Sequence, residues 1–266
     1  MNLVDSKKNE AIKIAMVSGK GGTGKSTICA NLALALSKYG KDVVVVDTDV
    51  NMANLELIVG MEGMPITLNS VIAGNADITQ AIYEYSENMR VVPAGVSLDE
   101  LKFDNSAELE IIIERLDSMC EVLLIDCPAG LNQDVNSIIS SADHVIVIVT
   151  PDITSVSDAI KLINLSTKLE TSVLGAVVNK VTNDSSELTT KAIETILELP
   201  VVASVPQDDT VRANAAYGVL SVEKQPESGL SNSIMELAAK LTGNRYIPQK
   251  GPSSSLVDKI KRLFKR

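Results

Sequence analysis

Short apolar runs rich in β-branched residues recur along the chain: Ile12 to Val17, Val43 to Val46, Val122 to Ile125, Val145 to Val149, Val173 to Val178 and Val201 to Val205. None of them alternates with polar residues, which is the pattern of strands covered on both faces. Between them apolar residues return at helical spacing, over Ser26 to Tyr39, Ser106 to Met119, Val156 to Leu169, Ser185 to Leu197 and Ser231 to Leu241. Strand and helix in alternation predict a doubly wound α/β fold, a mostly parallel sheet with helices on both faces and right-handed crossovers. In such folds ligands bind beyond the carboxyl ends of the strands. Each apolar run here is followed by a polar cluster at that end: Ser18 to Ser26, Asp47 to Asn51, Asp126 to Gly130, Thr150 to Thr154, Asn179 to Asp184 and Pro206 to Asp209.

The first cluster carries the chemistry. Gly19-Lys20-Gly21-Gly22-Thr23-Gly24-Lys25-Ser26 fits G-x-x-x-x-G-K-[ST], directly after a strand pattern and directly before a helical one, which is the context a phosphate loop requires. Glycine lets backbone N–H groups wrap a β-phosphate without side chains intervening, and the helix N-terminus adds partial positive charge. Lys25 is placed to neutralise β and γ oxygens and Ser26 to ligate Mg2+, and Thr27 closes the set expected to bind ATP. Asp126, after the apolar Val122 to Ile125, has the Walker B form, a carboxylate that supports the metal through water. The fold expected is therefore of the P-loop NTPase type.

Gly19, Gly21 and Gly24 also spell G-x-G-x-x-G, and Asp47 ends the second strand where a ribose hydroxyl is held in dinucleotide enzymes, so an oxidoreductase is the competing reading. Lys25 and Ser26 argue against it, because only a terminal phosphate and a metal give both of them a role. Adenine is favoured over guanine: Asn179-Lys180-Val181-Thr182 begins like the guanine-reading Asn-Lys-x-Asp but lacks its aspartate. The expected ligands are ATP and Mg2+.

Composition narrows the partners. At 266 residues and 45% hydrophobic, the chain suffices for one large core with small appendages, here 1–11 as a short extension, 12–242 as the body, 243–255 as a Gly, Pro and Ser-containing flexible linker, and 256–266 as a tail. A net charge of −10 repels DNA, RNA and anionic lipid unless a local patch reverses the field. Aromatic residues are 3% with no Trp, little material for stacking bases, so no nucleic-acid partner is expected. Three cysteines without metal-ligand spacing fit a reducing compartment. Cys127 is expected as a small packed side chain, and His144, the one histidine, as structural. No signal-peptide core and no run of roughly 18 apolar residues is present, so a cytoplasmic or peripheral location is expected.

The tail has the opposite sign. On a helical wheel Leu256, Val257, Ile260, Leu263 and Phe264 fall within an arc of roughly 120°, with Lys259, Lys261, Arg262, Lys265, Arg266 and Asp258 opposite. Ser255 to Asp258 reads as a capping box. Alone, so short a helix is marginal in water, and an anionic membrane surface satisfies both its faces. A single tail binds weakly, whereas two on one dimer bind through effective concentration.

Lys20, a second lysine inside the loop, makes Lys-Gly-Gly-x-Gly-Lys-Ser, which resembles the deviant Walker A motif of the MinD/ParA family. Asp47-Thr48-Asp49 followed by Asn54-Leu55-Glu56-Leu57 looks like the family's first switch, and Asp126-Cys127-Pro128-Ala129-Gly130 like its Walker B and second switch. The resemblance covers about Lys13 to Leu241 and follows the MinD pattern. It implies an ATPase in which Lys20 reaches the partner's phosphates in an ATP-bridged homodimer, Asp49 orients the attacking water, and Asp47 supports the metal shell. It further implies that Asn179, Pro206 and Asp208 line the adenine, and that the tail, through Leu256, Val257, Lys259, Ile260, Lys261, Arg262, Leu263 and Phe264, meets the membrane. An activator protein that stimulates hydrolysis, and cell-division or other envelope machinery to position, complete the expectation. Its rivals within the wider group are a flagellar-positioning ATPase, a ParA-type DNA partitioner, for which the acidic body is ill suited, and an iron-sulfur carrier.

Overall fold

The chain opens on β1 (Ile12–Val17), the strand that feeds the phosphate loop, and then α1 (Lys25–Lys38) and β2 (Val43–Asp47). The structure, a computed structural model, describes residues 10–50, 52–95 and 105–249. The predicted helix 256–266, and all but the last residues of the predicted extension 1–11, lie outside the described residues. After β2 come α2 (Leu55–Val59), α3 (Leu68–Ile72), a 3-10 turn at Ile78–Ala81, β3 (Tyr83–Ser86), β4 (Met89–Val92), α4 (Ser106–Asp117), β5 (Val122–Asp126) and α5 (Gln133–Ser141). The chain continues through β6 (His144–Val149), α6 (Ile153–Lys168), β7 (Ser172–Val181), α7 (Thr190–Leu197), β8 (Val201–Pro206), α8 (Thr210–Ala216), α9 (Ser221–Lys224) and α10 (Gly229–Thr242).

The strands form one eight-stranded sheet in the order β3-β4-β2-β5-β1-β6-β7-β8, parallel throughout except where edge strand β3 runs antiparallel to β4. The doubly wound, mostly parallel sheet is therefore present. Two additions to the predicted set, β3 and β4, form a hairpin on the far side of β2. β1 lies between β5 and β6, and the crossover through α1 passes over β5 to reach β2. Successive side chains of each central strand serve opposite layers. Ala15, Val17, Leu123 and Ile125 pack with α4, α5 and α6, while Ile14, Met16, Val122 and Leu124 pack with α1 and α10. Both faces being dry explains why no strand alternates apolar with polar. α1 is buried nearly all round, between the sheet and α10, so its apolar residues form no stripe.

Helix starts follow their caps. α6 begins at Ile153, three residues before the apolar spacing shows it, because the Asp152 side chain accepts the Ser155 N–H. α7 begins at Thr190 rather than Ser185, since Glu187 binds the amides of Thr182 and Asn183 in a turn and leaves Thr189 as the cap. Residues 243–249, read as the first half of the linker, leave α10 through left-handed Gly243 and return along that helix, where they hydrogen-bond to Asn232.

Candidate nucleotide site

The loop after β1 turns into α1 at Gly24, whose backbone is left-handed at φ +89°. No side chain caps the helix there, so the first-turn amides of α1 remain available to an anion. Glycine is required at this position twice over, since a Cβ would stand 2.3 Å from Asn179 Nδ2. Asn179, at the end of β7, donates from Nδ2 to the Thr23 carbonyl at 2.8 Å, and neighbouring Lys180 donates from Nζ to the Gly22 carbonyl at 2.6 Å. The loop is thereby clamped from β7. Gly19 serves packing rather than the ligand, because a Cβ there would lie 2.4 Å from Cβ of Asp158 on α6.

The loop forms the floor of a cavity of about 720 Å3. Gly21 to Thr27, Asp49, Asn179, Pro206 and Asp208 line it, as predicted residues of the site, whereas Gly19 and Lys20 do not. Ile58 of α2, Val211 of α8 and Leu230 of α10 add an apolar wall that no sequence pattern singled out. With Pro206 they give this side of the cavity an apolar surface, next to polar Gln207, Asp208 and Asp209. Asp208 itself accepts the Thr210 N–H and hydroxyl, which starts α8 at the rim.

Beneath the cavity lies a buried charge cluster. Lys25 Nζ stands 2.5 Å from Asp126 Oδ1, with the carboxylate fully buried and the lysine nearly so. Burial works against the ammonium, yet the Asp126 carboxylate outweighs it and raises the Lys25 pKa above its usual value. Asp47 is Asp126's register partner on the adjacent strand. Burial, and then the Asp126 charge, push its carboxyl up to about 8. Its oxygens accept backbone N–H groups of Asp49 at 3.0 Å, Asn54 at 3.2 Å and Leu55 at 3.0 Å, so Asp47 anchors the loop that carries Asp49. Asp49 is half-buried, and burial raises its pKa as well.

Do these residues fit a Mg-nucleotide? Lys25 pairs with Asp126, and burial beside that carboxylate makes Asp47 hold its proton; a divalent cation would supply the positive charge that lets the Asp47 carboxyl ionise. Among the described residues, Asp126 Oδ2, on the carboxylate that pairs with Lys25, and Thr23 Oγ1, within the loop, are buried without a hydrogen-bond partner, as groups that await a ligand would be. Ser26, in the first turn of α1, lines the same cavity. The donor set is oxygen throughout, as magnesium prefers. The site fits.

Lys20 lies elsewhere. Its Nζ donates to both carboxylate oxygens of Asp152 and, at 3.1 Å, to Thr154 Oγ1, at the start of α6 and on the protein surface. Burial opposes the Asp152 charge, but the Thr150 and Thr154 hydroxyls, the Ser155 amide and Lys20 together hold its carboxyl well below the usual range. Ile153, next in the chain after Asp152, is an exposed apolar side chain. Cys127 is fully buried and its thiol is pushed up by that burial, which leaves it a packing residue. His144 begins β6 at the opposite edge of the sheet, far from the loop.

Residues 14–222 match the family described as the CobQ/CobB/MinD/ParA nucleotide binding domain. The chain is 52% identical to an uncharacterised ATP-binding protein of Methanocaldococcus jannaschii, over 96% of this chain and 98% of that one. It is 27% identical to the septum site-determining protein MinD of Thermotoga maritima, over 95% of this chain and 97% of the relative. Among solved structures, that of the septum site-determining protein MinD of Pyrococcus horikoshii complexed with Mg-ADP superposes with a TM-score of 0.82 at 34% identity, covering 86% of this chain and 95% of that one.

Proposed function

The chain belongs to the CobQ/CobB/MinD/ParA nucleotide-binding family, and from that premise we propose that it is a MinD-like ATPase that converts ATP and water to ADP and phosphate. The observation that carries this reading is the division of labour between two lysines of one loop. Lys25 sits buried under the cavity on Asp126, while Lys20 sits at the surface on Asp152, outside the cavity its own loop encloses. A lysine so placed serves a neighbouring molecule's phosphates more readily than its own.

In the proposed reaction the amides from Gly21 to Thr27 hold the β-phosphate, and Lys25 neutralises the β and γ oxygens as charge moves onto them. Ser26 directly and Asp126 through water would hold magnesium, which supplies charge neutralisation at the phosphates. Asp49, its Oδ1 fixed by the Met52 N–H at 3.1 Å, positions the attacking water with its remaining oxygen. Phosphoryl transfer of this loose kind asks mainly for placed cations and a held water, which matches a site with few acid-base groups. The apolar wall and Asn179 receive adenine.

ATP then acts as the joint of a homodimer, with Lys20 of each chain donated across the interface, and hydrolysis releases it. The basic tail attaches the dimer to anionic lipid on the cytoplasmic face of the membrane, where two tails together bind far better than one. Likeness to septum site-determining proteins supports a role in positioning cell-division or other envelope machinery, with a separate protein stimulating hydrolysis. Co-sedimentation with liposomes containing anionic lipid tests this. The full chain is expected to pellet with Mg-ATP, to stay in solution with ADP, and to lose its ATP-dependent pellet when cut after Ser254. Equal pelleting in every arm overturns the reading.

A further inference from the structure

Asn232, one turn into α10, receives the chain that returns from Gly243. Its Oδ1 accepts the Tyr246 hydroxyl at 2.6 Å and the Gln249 N–H at 2.9 Å, and its Nδ2 donates to the Gln249 carbonyl at 3.3 Å. The same Nδ2 reaches the Glu227 and Ser228 carbonyls at 3.0 and 2.9 Å. One side-chain amide thus pairs with both backbone groups of Gln249, as an adjoining strand would, and is itself fixed to the turn that starts α10.

Which edge of the molecule this is can be read from α10. Gly229, its first residue, lies so close to Pro206 that a Cβ would stand 2.5 Å from Pro206 Cγ, and Pro206 and Leu230 both line the nucleotide cavity. Gln249 is therefore level with the cavity wall. A chain leaving directly from Thr242 would depart from the opposite edge, about 21 Å away along a helix of 14 residues. The returning strap removes that separation.

We propose that Asn232 is a positioning residue for the C-terminal segment: it brings residues 250–266, with six cations from Lys250 to Arg266, out at the nucleotide edge. An anionic bilayer then meets each chain at the edge where nucleotide binds. Two chains joined across their nucleotide sites send both tails out side by side rather than from opposite poles, which raises their effective concentration at one patch of surface. The exit point follows from the bonds to Asn232 alone; the bilayer and the dimer rest on the function proposed above.

Paired spin labels on the full-length chain, in a Cys120→Ser background, test it. Ser253→Cys reports the start of the tail, Ser185→Cys the nucleotide edge, and Ser172→Cys the opposite end of the same strand β7. The distance from 253 to 185 is expected to be the shorter of the two. Asn232→Ala should remove that preference, broaden both distributions and speed exchange of the Gln249 amide by roughly fivefold or more, the factor of one lost hydrogen bond. Tyr246→Phe, which deletes a single hydroxyl and leaves α10 untouched, should show a smaller shift in the same direction. Equal distances in the parent chain, or unchanged distances and exchange in Asn232→Ala, overturn the proposal. The liposome assay separates the two claims. A 253 label near 185 without an ATP-dependent pellet leaves the anchor standing and removes the lipid, whereas ATP-dependent pelleting with equal distances does the reverse.

Discussion

Lys20 donates from Nζ to both carboxylate oxygens of Asp152, at 2.9 and 3.2 Å, within a single chain. Both partners are more than a third exposed, so water and salt screen the pair and it holds at most about 1 kcal/mol. That is weak enough for a neighbouring phosphate to break and large enough to measure. Asp152→Asn keeps the cap of α6, because asparagine caps as well as aspartate, and removes the charge together with the second acceptor oxygen that Lys20 and the Thr150 hydroxyl use. The midpoint of ATP-dependent dimerisation, followed by sedimentation velocity, should move to lower protein concentration by up to about fivefold, while ADP affinity is unchanged. Lys20→Ala should abolish the ATP-dependent dimer altogether.

Lys25 is tied into stability as well as binding. Lys25→Ala leaves Asp126 and Asp47 buried side by side with no cation, and breaking a buried pair from one side costs about 3 kcal/mol. Urea unfolding without nucleotide should register that loss, and calorimetry should find Mg-ATP binding gone. A variant as stable as the parent would mean that the ion pair contributes nothing to the resting fold.

Gly24→Ala tests the loop's geometry. A left-handed backbone costs an alanine about 1–2 kcal/mol, and its methyl would displace Asn179 Nδ2 from the Thr23 carbonyl. The clamp from β7 opens, and nucleotide affinity should fall at least tenfold with secondary structure retained by circular dichroism.

Acid sensitivity should report the bridge between the 3-10 turn and α4. Hydrogen bonds from the Arg115 guanidinium, and then from Thr79, hold the Asp77 carboxyl down to about 2. A carboxyl depressed on folding favours the native state above its unfolded value, about 3.9, and that advantage fades as pH falls through the folded one. Arg115→Ala should therefore melt below the parent at pH 7, with the two curves converging as the pH approaches about 2. A gap in melting temperature that persists undiminished in acid would assign the effect of Arg115 to packing instead.

The sheet was legible because its central strands are buried on both faces, which leaves unbroken β-branched runs with sharp polar ends at Ser18, Asp47 and Asp126. The hairpin of β3 and β4 was not. Each of its strands has four residues, and Tyr83 to Ser86 is a half-exposed edge with no apolar run. The phosphate loop could be read because its residues are consecutive. Lys20's partner lies 132 residues away, and the apolar wall of Ile58, Val211 and Leu230 comes from three helices that meet only in the folded chain. No spacing links them. Asp47 shows a further gap: the sequence marks it as a carboxylate at a strand's end, but its three backbone partners, which make it the root of the Asp49 loop, are visible only in three dimensions.

That root has a mechanical meaning. Asp47 is bonded to the loop before α2, and Thr48 donates from both its amide and its hydroxyl to the carbonyl of Asp126, whose side chain grips Lys25. The two segments that would sense a γ-phosphate are stitched together at adjacent positions on neighbouring strands. A displacement of either pulls on the other, so the molecule has one trigger with two handles, and a substitution that disturbs one segment should surface as a defect in both.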